Sequence, residues 1–208
     1  WNKKPKIYRQ LTLLILLLQS CAVVDYKDVP ALARSILFGA PDQEVTDSFY
    51  ENMPYSFAKI RIGRSRIGFM VLLSIENDIY EWIGSYDERI LTKHGKIIST
   101  SGLDYNINFI NSGDSNVNCN NCSATYQIQL DNPEALLIQK VTNSFIKNEE
   151  ITLMNQISVA SYVEKFETIK LRWKGENFYW FNNNGQPIKS VQEIHPTLGK
   201  IEITFFYK

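Results

Sequence analysis

Between Pro54 and Leu103 the chain reads PYSFAKIRIGRSRIGFMVLLSIENDIYEWIGSYDERILTKHGKIISTSGL. Apolar and β-branched runs of strand length alternate here with short turn signals, and that period predicts a sheet. Lys59–Ile62 and Ile67–Ile75 flank a turn at Gly63-Arg64-Ser65-Arg66. Phe69–Ile75 is nearly unbroken in apolar character, which predicts a strand buried on both faces. Asn77-Asp78 turns it into Ile79–Gly84, where Tyr80 and Trp82 share one face. His94-Gly95 predicts a hairpin turn between Ile90–Lys93 and Lys96–Thr100, with glycine supplying the positive φ.

The second half continues the pattern. Thr125–Leu130 breaks at Asn132-Pro133, and long alternating runs follow through Ile151, Leu153, Ile157, Val159 and Val163. Ile169-Lys170-Leu171-Arg172-Trp173 alternates apolar with basic, so one face should point inward and one into water. Gly175 is expected to turn the chain into Phe178–Phe181, which is aromatic on both faces. If Tyr179 and Phe181 face the core, Phe178 and Trp180 must find cover from another sheet, a partner or a ligand. Asn183-Asn184-Gly185 turns again, and Ile201, Ile203, Phe205 and Tyr207 alternate near the end.

Two short helices are expected before the strands. Asp28-Val29-Pro30 supplies a cap and a first-turn proline, with Gly39 and Pro41 as the stop. Thr46-Asp47 opens a second turn through Phe49, Tyr50 and Met53, closed by Pro54. This pair would serve as a lid docked on the sheet or as helical packing alone. The expected fold is therefore mainly β: antiparallel sheets, sandwich- or barrel-like, with one or two short N-terminal helices, in a single domain over 29–208.

Residues 1–20 read as a targeting segment, with basic Lys3–Arg9 followed by the apolar run Leu11–Leu18. That run is shorter than the ~20 residues a permanent membrane helix needs. Leu18-Gln19-Ser20-Cys21 looks like a bacterial lipobox, although Gln19 is bulkier than usual at its place. Cys21 is thus the expected lipidation site and 21–28 a lipidated tether, several acyl chains giving stable anchoring in the bilayer. Ala22 stands where an aspartate would signal inner-membrane retention, which points to the periplasmic face of the outer membrane. The first residue is Trp, so the start of translation is expected elsewhere.

Without the first twenty residues the chain holds 18 basic against 22 acidic residues, with the basic ones scattered. That balance gives no electrostatic footprint for nucleic acid. Residues 104–123 carry seven asparagines and read as loop, with Cys119 and Cys122 inside. An oxidising compartment and the lack of a second Cys/His pair favour a local disulfide over metal or redox roles. His94 and His195 are expected in solvated turns, and Glu76, Asp78, Glu81, Asp87 and Glu88 flank turns where acids face water. No motif with a catalytic mechanism appears, so no catalytic residue, metal or cofactor is assigned. Trp82, Trp173, Phe178 and Trp180, near Asn182–Asn184, offer the rings and polar groups that bind saccharides or protein partners; core packing is the competing reading for each.

The opening at Pro54-Tyr55, the Glu81-Trp82 pair, the Leu91-Thr92-Lys93-His94-Gly95-Lys96 hairpin and the Thr100-Ser101-Gly102-Leu103 exit resemble the YjbF/GfcB family of capsule lipoproteins. Arg34–Gly39, Val45-Thr46 and the FYWF stretch with its following Ser190 and Gln192 carry the same resemblance. It implies an outer-membrane lipoprotein, without enzymatic activity, that assists group 4 capsule or exopolysaccharide secretion or assembly. Its implied partners are the lipid bilayer, capsule export or assembly proteins and the polysaccharide itself. Scaffolding of envelope partners is the mechanism expected, with direct polysaccharide binding as the alternative and an enzyme acting on the polymer a distant third.

Overall fold

The structure is a computed structural model, and it describes residues 44–65, 67–111 and 116–208. The signal, the Cys21 anchor, the tether and the helix expected at Asp28–Gly39 lie outside these residues. The described chain holds one helix, α1 (Asp47–Asn52), and twelve strands. They are β1 (Phe57–Ile62), β2 (Gly68–Glu76), β3 (Ile79–Ile83), β4 (Arg89–Lys93), β5 (Lys96–Ser101) and β6 (Ile107–Phe109). There follow β7 (Cys122–Asp131), β8 (Glu134–Thr152), β9 (Gln156–Thr168), β10 (Lys174–Asn182), β11 (Pro187–Gln192) and β12 (Ile201–Phe206). Each strand pairs antiparallel with its neighbour in sequence, and β1 pairs with β12, from Phe57↔Phe206 to Ile62↔Ile201, closing a barrel. The mainly β, antiparallel expectation holds, in its barrel form.

Turn chemistry sets the meander. Asn77 and Asp78 both take positive φ between β2 and β3, as do His94 and Gly95 between β4 and β5, the twist that two-residue hairpin loops require. The Asn132–Pro133 peptide is cis and links β7 to β8, with Asp131 paired to Glu134. Thr46 caps α1 by accepting the Phe49 N–H at 3.2 Å. The helix lies on the outer wall: Phe49 packs edge-on to Phe57 at 5.6 Å, and Phe57 stacks on Phe206 at 4.7 Å. Tyr50 O–H donates to Tyr207 O at 2.8 Å, tying the helix to the end of β12. Each covered phenylalanine contributes about 1.5–3 kcal/mol through burial.

Three local expectations need correction. β2 is not buried on both faces: Leu73 and Ile75 are more than half exposed, at and just beyond the bulge between Leu72 and Ser74, where the strand runs out to its turn. The alternating Ile169–Trp173 does not extend the strand, for β9 ends at Thr168 and residues 169–172 form a turn with Arg172 at φ 50°. Gly175 is not a turn residue but lies within β10, opposite Phe166. A Cβ there would meet the Phe166 ring at 2.8 Å, so the glycine is needed for close approach. Gly175→Ala is expected to lower stability by about 1–3 kcal/mol through overpacking, read as a lower urea midpoint with unchanged slope.

The inside of the barrel is apolar along much of its length, with Ile60, Trp82, Ile128, Leu130, Ile201 and Phe205 all buried. The outer wall carries Lys140, Lys165, Glu167 and Glu176, all exposed. This is the reverse of a membrane-spanning barrel, whose apolar side faces outward. Among the described residues no helix is long and apolar enough to cross a membrane.

Within the apolar core sits one polar crossing. Lys96 Nζ meets Glu164 Oε2 at 2.5 Å, with the two side chains 2% and 0% exposed. The Lys96 ammonium also lies 4.2 Å from the Tyr126 ring centroid. Asn177 Nδ2 donates to Glu164 Oε1 at 2.9 Å. Gln192 of β11 reaches the β4–β5 hairpin, donating to Gly95 O at 2.8 Å and accepting from Ile97 N–H at 2.9 Å. Six places apart in strand order, β5 and β11 are opposite walls joined through this crossing. Burial, followed by the Glu164 charge, pushes the Tyr179 hydroxyl far above its ordinary range, so Tyr179 stays protonated.

His195 is a further correction: it is fully buried rather than solvated, stacked on Tyr105 at 4.9 Å. Its Nδ1 accepts the Thr197 N–H at 3.3 Å, which leaves the proton on Nε2, a buried atom without a hydrogen-bond partner among the described residues. Burial lowers its affinity for a proton, and Asp131 only partly opposes this. Below the unfolded value of 6.5 the unfolded chain therefore binds a proton that the folded one does not, and stability falls as pH falls through that window. His195→Phe should flatten this slope in urea midpoints measured between pH 5 and 7, whereas an unchanged slope would place its source elsewhere.

Candidate functional site

The parity of β10 builds the site. Tyr179 and Phe181 point inward, 0% and 2% exposed, where Val117 of the Asn-rich loop packs against them. Phe178 and Trp180 therefore point outward and remain half-buried, their rings 6.3 Å apart. Trp180 lines a groove of about 690 Å³ on the outer wall. Lys189 of β11 pairs with Trp180, and Thr204 of β12 follows, with Lys189 and Lys59 on its two sides. The long hairpin of β8 and β9 supplies the facing side through Ile151, Thr152 and Leu153.

Charges alternate along this groove. The Trp180 indole donates to Glu149 Oε1 at 2.9 Å, and Lys147 Nζ meets Glu149 Oε2 at 2.9 Å. Lys147 first and the indole second hold the Glu149 carboxyl below its ordinary range, so it stays ionised at neutral pH. Lys189 Nζ pairs with Glu202 at 2.5 Å and lies 5.6 Å from the Trp180 ring centroid. An aromatic face held by its own N–H, ringed by charged donors and acceptors, suits a ligand with apolar C–H faces and many hydroxyls.

The other aromatics expected at a binding face are elsewhere. Trp82 is 1% exposed inside the barrel, its indole donating to Thr92 Oγ1 at 3.0 Å. Trp173 is 8% exposed, edge-on to Phe166 and donating to Glu193 Oε1 at 2.7 Å. Both rings are core, leaving Phe178 and Trp180 as the outward aromatics of the set. Lys59, Glu149, Lys189 and Glu202 carried no sequence signal, because partly wet alternating charges on strands read as ordinary surface. Cys119 and Cys122 adjoin at the end of the Asn-rich loop, Cα atoms 5.9 Å apart. Among the described residues no group of three or more His, Cys, Asp or Glu could hold a metal ion.

The fold is similar to that of the hypothetical lipoprotein YmcC from Escherichia coli K12, known from a crystal structure. The two agree with a TM-score of 0.72 over 85% of this chain and 94% of that one, at 22% identity. The uncharacterized lipoprotein YjbF of Escherichia coli K12 is 30% identical over 90 residues. That alignment spans 43% of this chain and 42% of YjbF, less than half the length of either. The profile of the group 4 capsule polysaccharide lipoproteins, described by gfcB and YjbF, matches residues 31–206. With the whole barrel inside that match, the chain belongs to the YjbF family of group 4 capsule polysaccharide lipoproteins.

Proposed function

We propose that this chain is a non-enzymatic accessory of capsule or exopolysaccharide secretion and assembly, and that the Trp180 groove binds the polymer. The supporting observation is the outward face of Trp180, which its own strand neighbours leave half-open in a groove lined by Lys59, Lys189, Glu149 and Glu202. Sugar rings stack their C–H faces on such an indole while their hydroxyls exchange hydrogen bonds with the flanking charges. In this reading Cys21 carries the acyl chains that hold the barrel at the periplasmic face of the outer membrane. A Cys119–Cys122 bridge closes the loop whose Val117 packs on Tyr179 and Phe181.

Isothermal titration of the chain with capsule oligosaccharides from its own host is expected to show saturable binding. No heat at millimolar ligand, together with cross-linking of an export or assembly protein at the groove, would replace polymer binding by scaffolding.

A further inference from the structure

The turn after β9, Ile169-Lys170-Leu171-Arg172, presents aliphatic side chains to water from a fixed base. The Thr168 N–H and hydroxyl both donate to Trp173 O, at 2.7 and 3.1 Å, closing the turn at its neck. Trp173 is in turn fixed by Phe166 and Glu193. Ile169 is 62% exposed and Leu171 49%, so the apolar tip is a built projection. Its neighbour is the outer face of β8. Gln139 pairs with Thr168, and the residues just before it, Leu136 and Ile138, are 55% and 47% exposed. Four exposed aliphatics thus lie at the same end of adjacent strands of the barrel wall.

Basic residues accompany them. Lys170 and Arg172 alternate with the exposed aliphatics in the turn itself, and both are exposed. Lys140 and Lys174 flank Glu167 on adjacent strands, and with Lys165, which pairs with Glu176 at 3.4 Å, they line a shallow depression of about 400 Å³ next to the turn, lysines outnumbering glutamates there. Protein-binding hot spots favour Trp and Tyr, and protein interfaces are depleted in Lys. Aliphatic tips set among lysines instead match an anionic lipid surface, whose phosphates meet the cations while the aliphatics enter the interface. We infer that this end of the barrel docks on a membrane surface bearing anionic lipid headgroups. Membership of a lipoprotein family puts a bilayer within reach, and docking there would fix how the barrel sits on it. The inference therefore rests on the anchored reading, which its test scores separately.

The test uses the lipidated full chain with Leu171→Trp, and as control Leu73→Trp, whose exposed site lies on β2 at the opposite wall. Each is mixed with vesicles of brominated phosphatidylcholine containing one-third phosphatidylglycerol. Quenching at position 171 should exceed that at 73 severalfold, and should drop to the control level when Lys170→Glu and Arg172→Glu are added. Equal quenching at both positions overturns the inference whether or not the chain co-sediments, and co-sedimentation on the same samples reports the anchor. Self-association lost in Ile138→Asp would also overturn it, making the patch a contact between copies.

Discussion

Replacing Glu164 by Leu is expected to lower stability by about 3–5 kcal/mol, because it leaves the Lys96 ammonium buried without its counter-charge. In a domain of this size that corresponds to a fall in Tm of about 6–20 °C. Lys96 is 2% exposed and the Tyr126 ring face offers the cation only partial compensation. Lys96→Met should cost a similar amount, since it strands a buried carboxylate. The double variant Lys96→Met, Glu164→Leu should recover part of the loss, as no unpaired charge remains. Recovery stays incomplete because Asn177 Nδ2 and the Tyr179 hydroxyl both lose the Glu164 carboxylate as acceptor, a penalty of about 1–3 kcal/mol. Losses below about 1 kcal/mol for both single variants would mean that water reaches the pair.

Trp180→Ala is expected to weaken oligosaccharide binding at least tenfold, about 1.4 kcal/mol, while changing stability little. The ring is half-buried on the outer wall, so its removal opens no cavity in the core. Trp180→Phe should recover part of the affinity, keeping a stacking face but losing the N–H that Glu149 accepts. Trp82→Phe gives the contrast: Trp82 fills the core, so stability should fall and affinity should persist. Equal loss of affinity in Trp82→Phe and Trp180→Ala at temperatures where both are folded would move the ligand away from the groove.

The sequence made the outward pair readable at Phe178 and Trp180, because strand parity follows from a strict period of two and four consecutive aromatics cannot share one face. It made the β4–β5 hairpin readable at His94-Gly95 for the same local reason. What it hid was non-local. The closing pair Phe57↔Phe206 joins the two ends of the described strands, and no period within either segment announces it. Lys96 follows a hairpin tip and reads as wet, but Glu164 neutralises it from β9, far along the chain. His195 precedes a proline and reads as a turn residue, yet the turn is folded under Tyr105. Ile169–Trp173 alternates as a strand should, and the Thr168–Trp173 closure makes it a turn instead.

The central claim is most directly tested through the indole N–H groups, which the structure places in distinct settings. Those of Trp82 and Trp173 donate to Thr92 and Glu193 within or beside the core, while that of Trp180 donates to Glu149 in the groove. A chain carrying ¹⁵N-tryptophan would be titrated with the host's capsule oligosaccharides and followed by heteronuclear NMR. The Trp180 indole resonance is predicted to shift saturably while those of Trp82 and Trp173 stay in place. A stationary Trp180 resonance at saturating ligand would contradict polysaccharide binding at this groove.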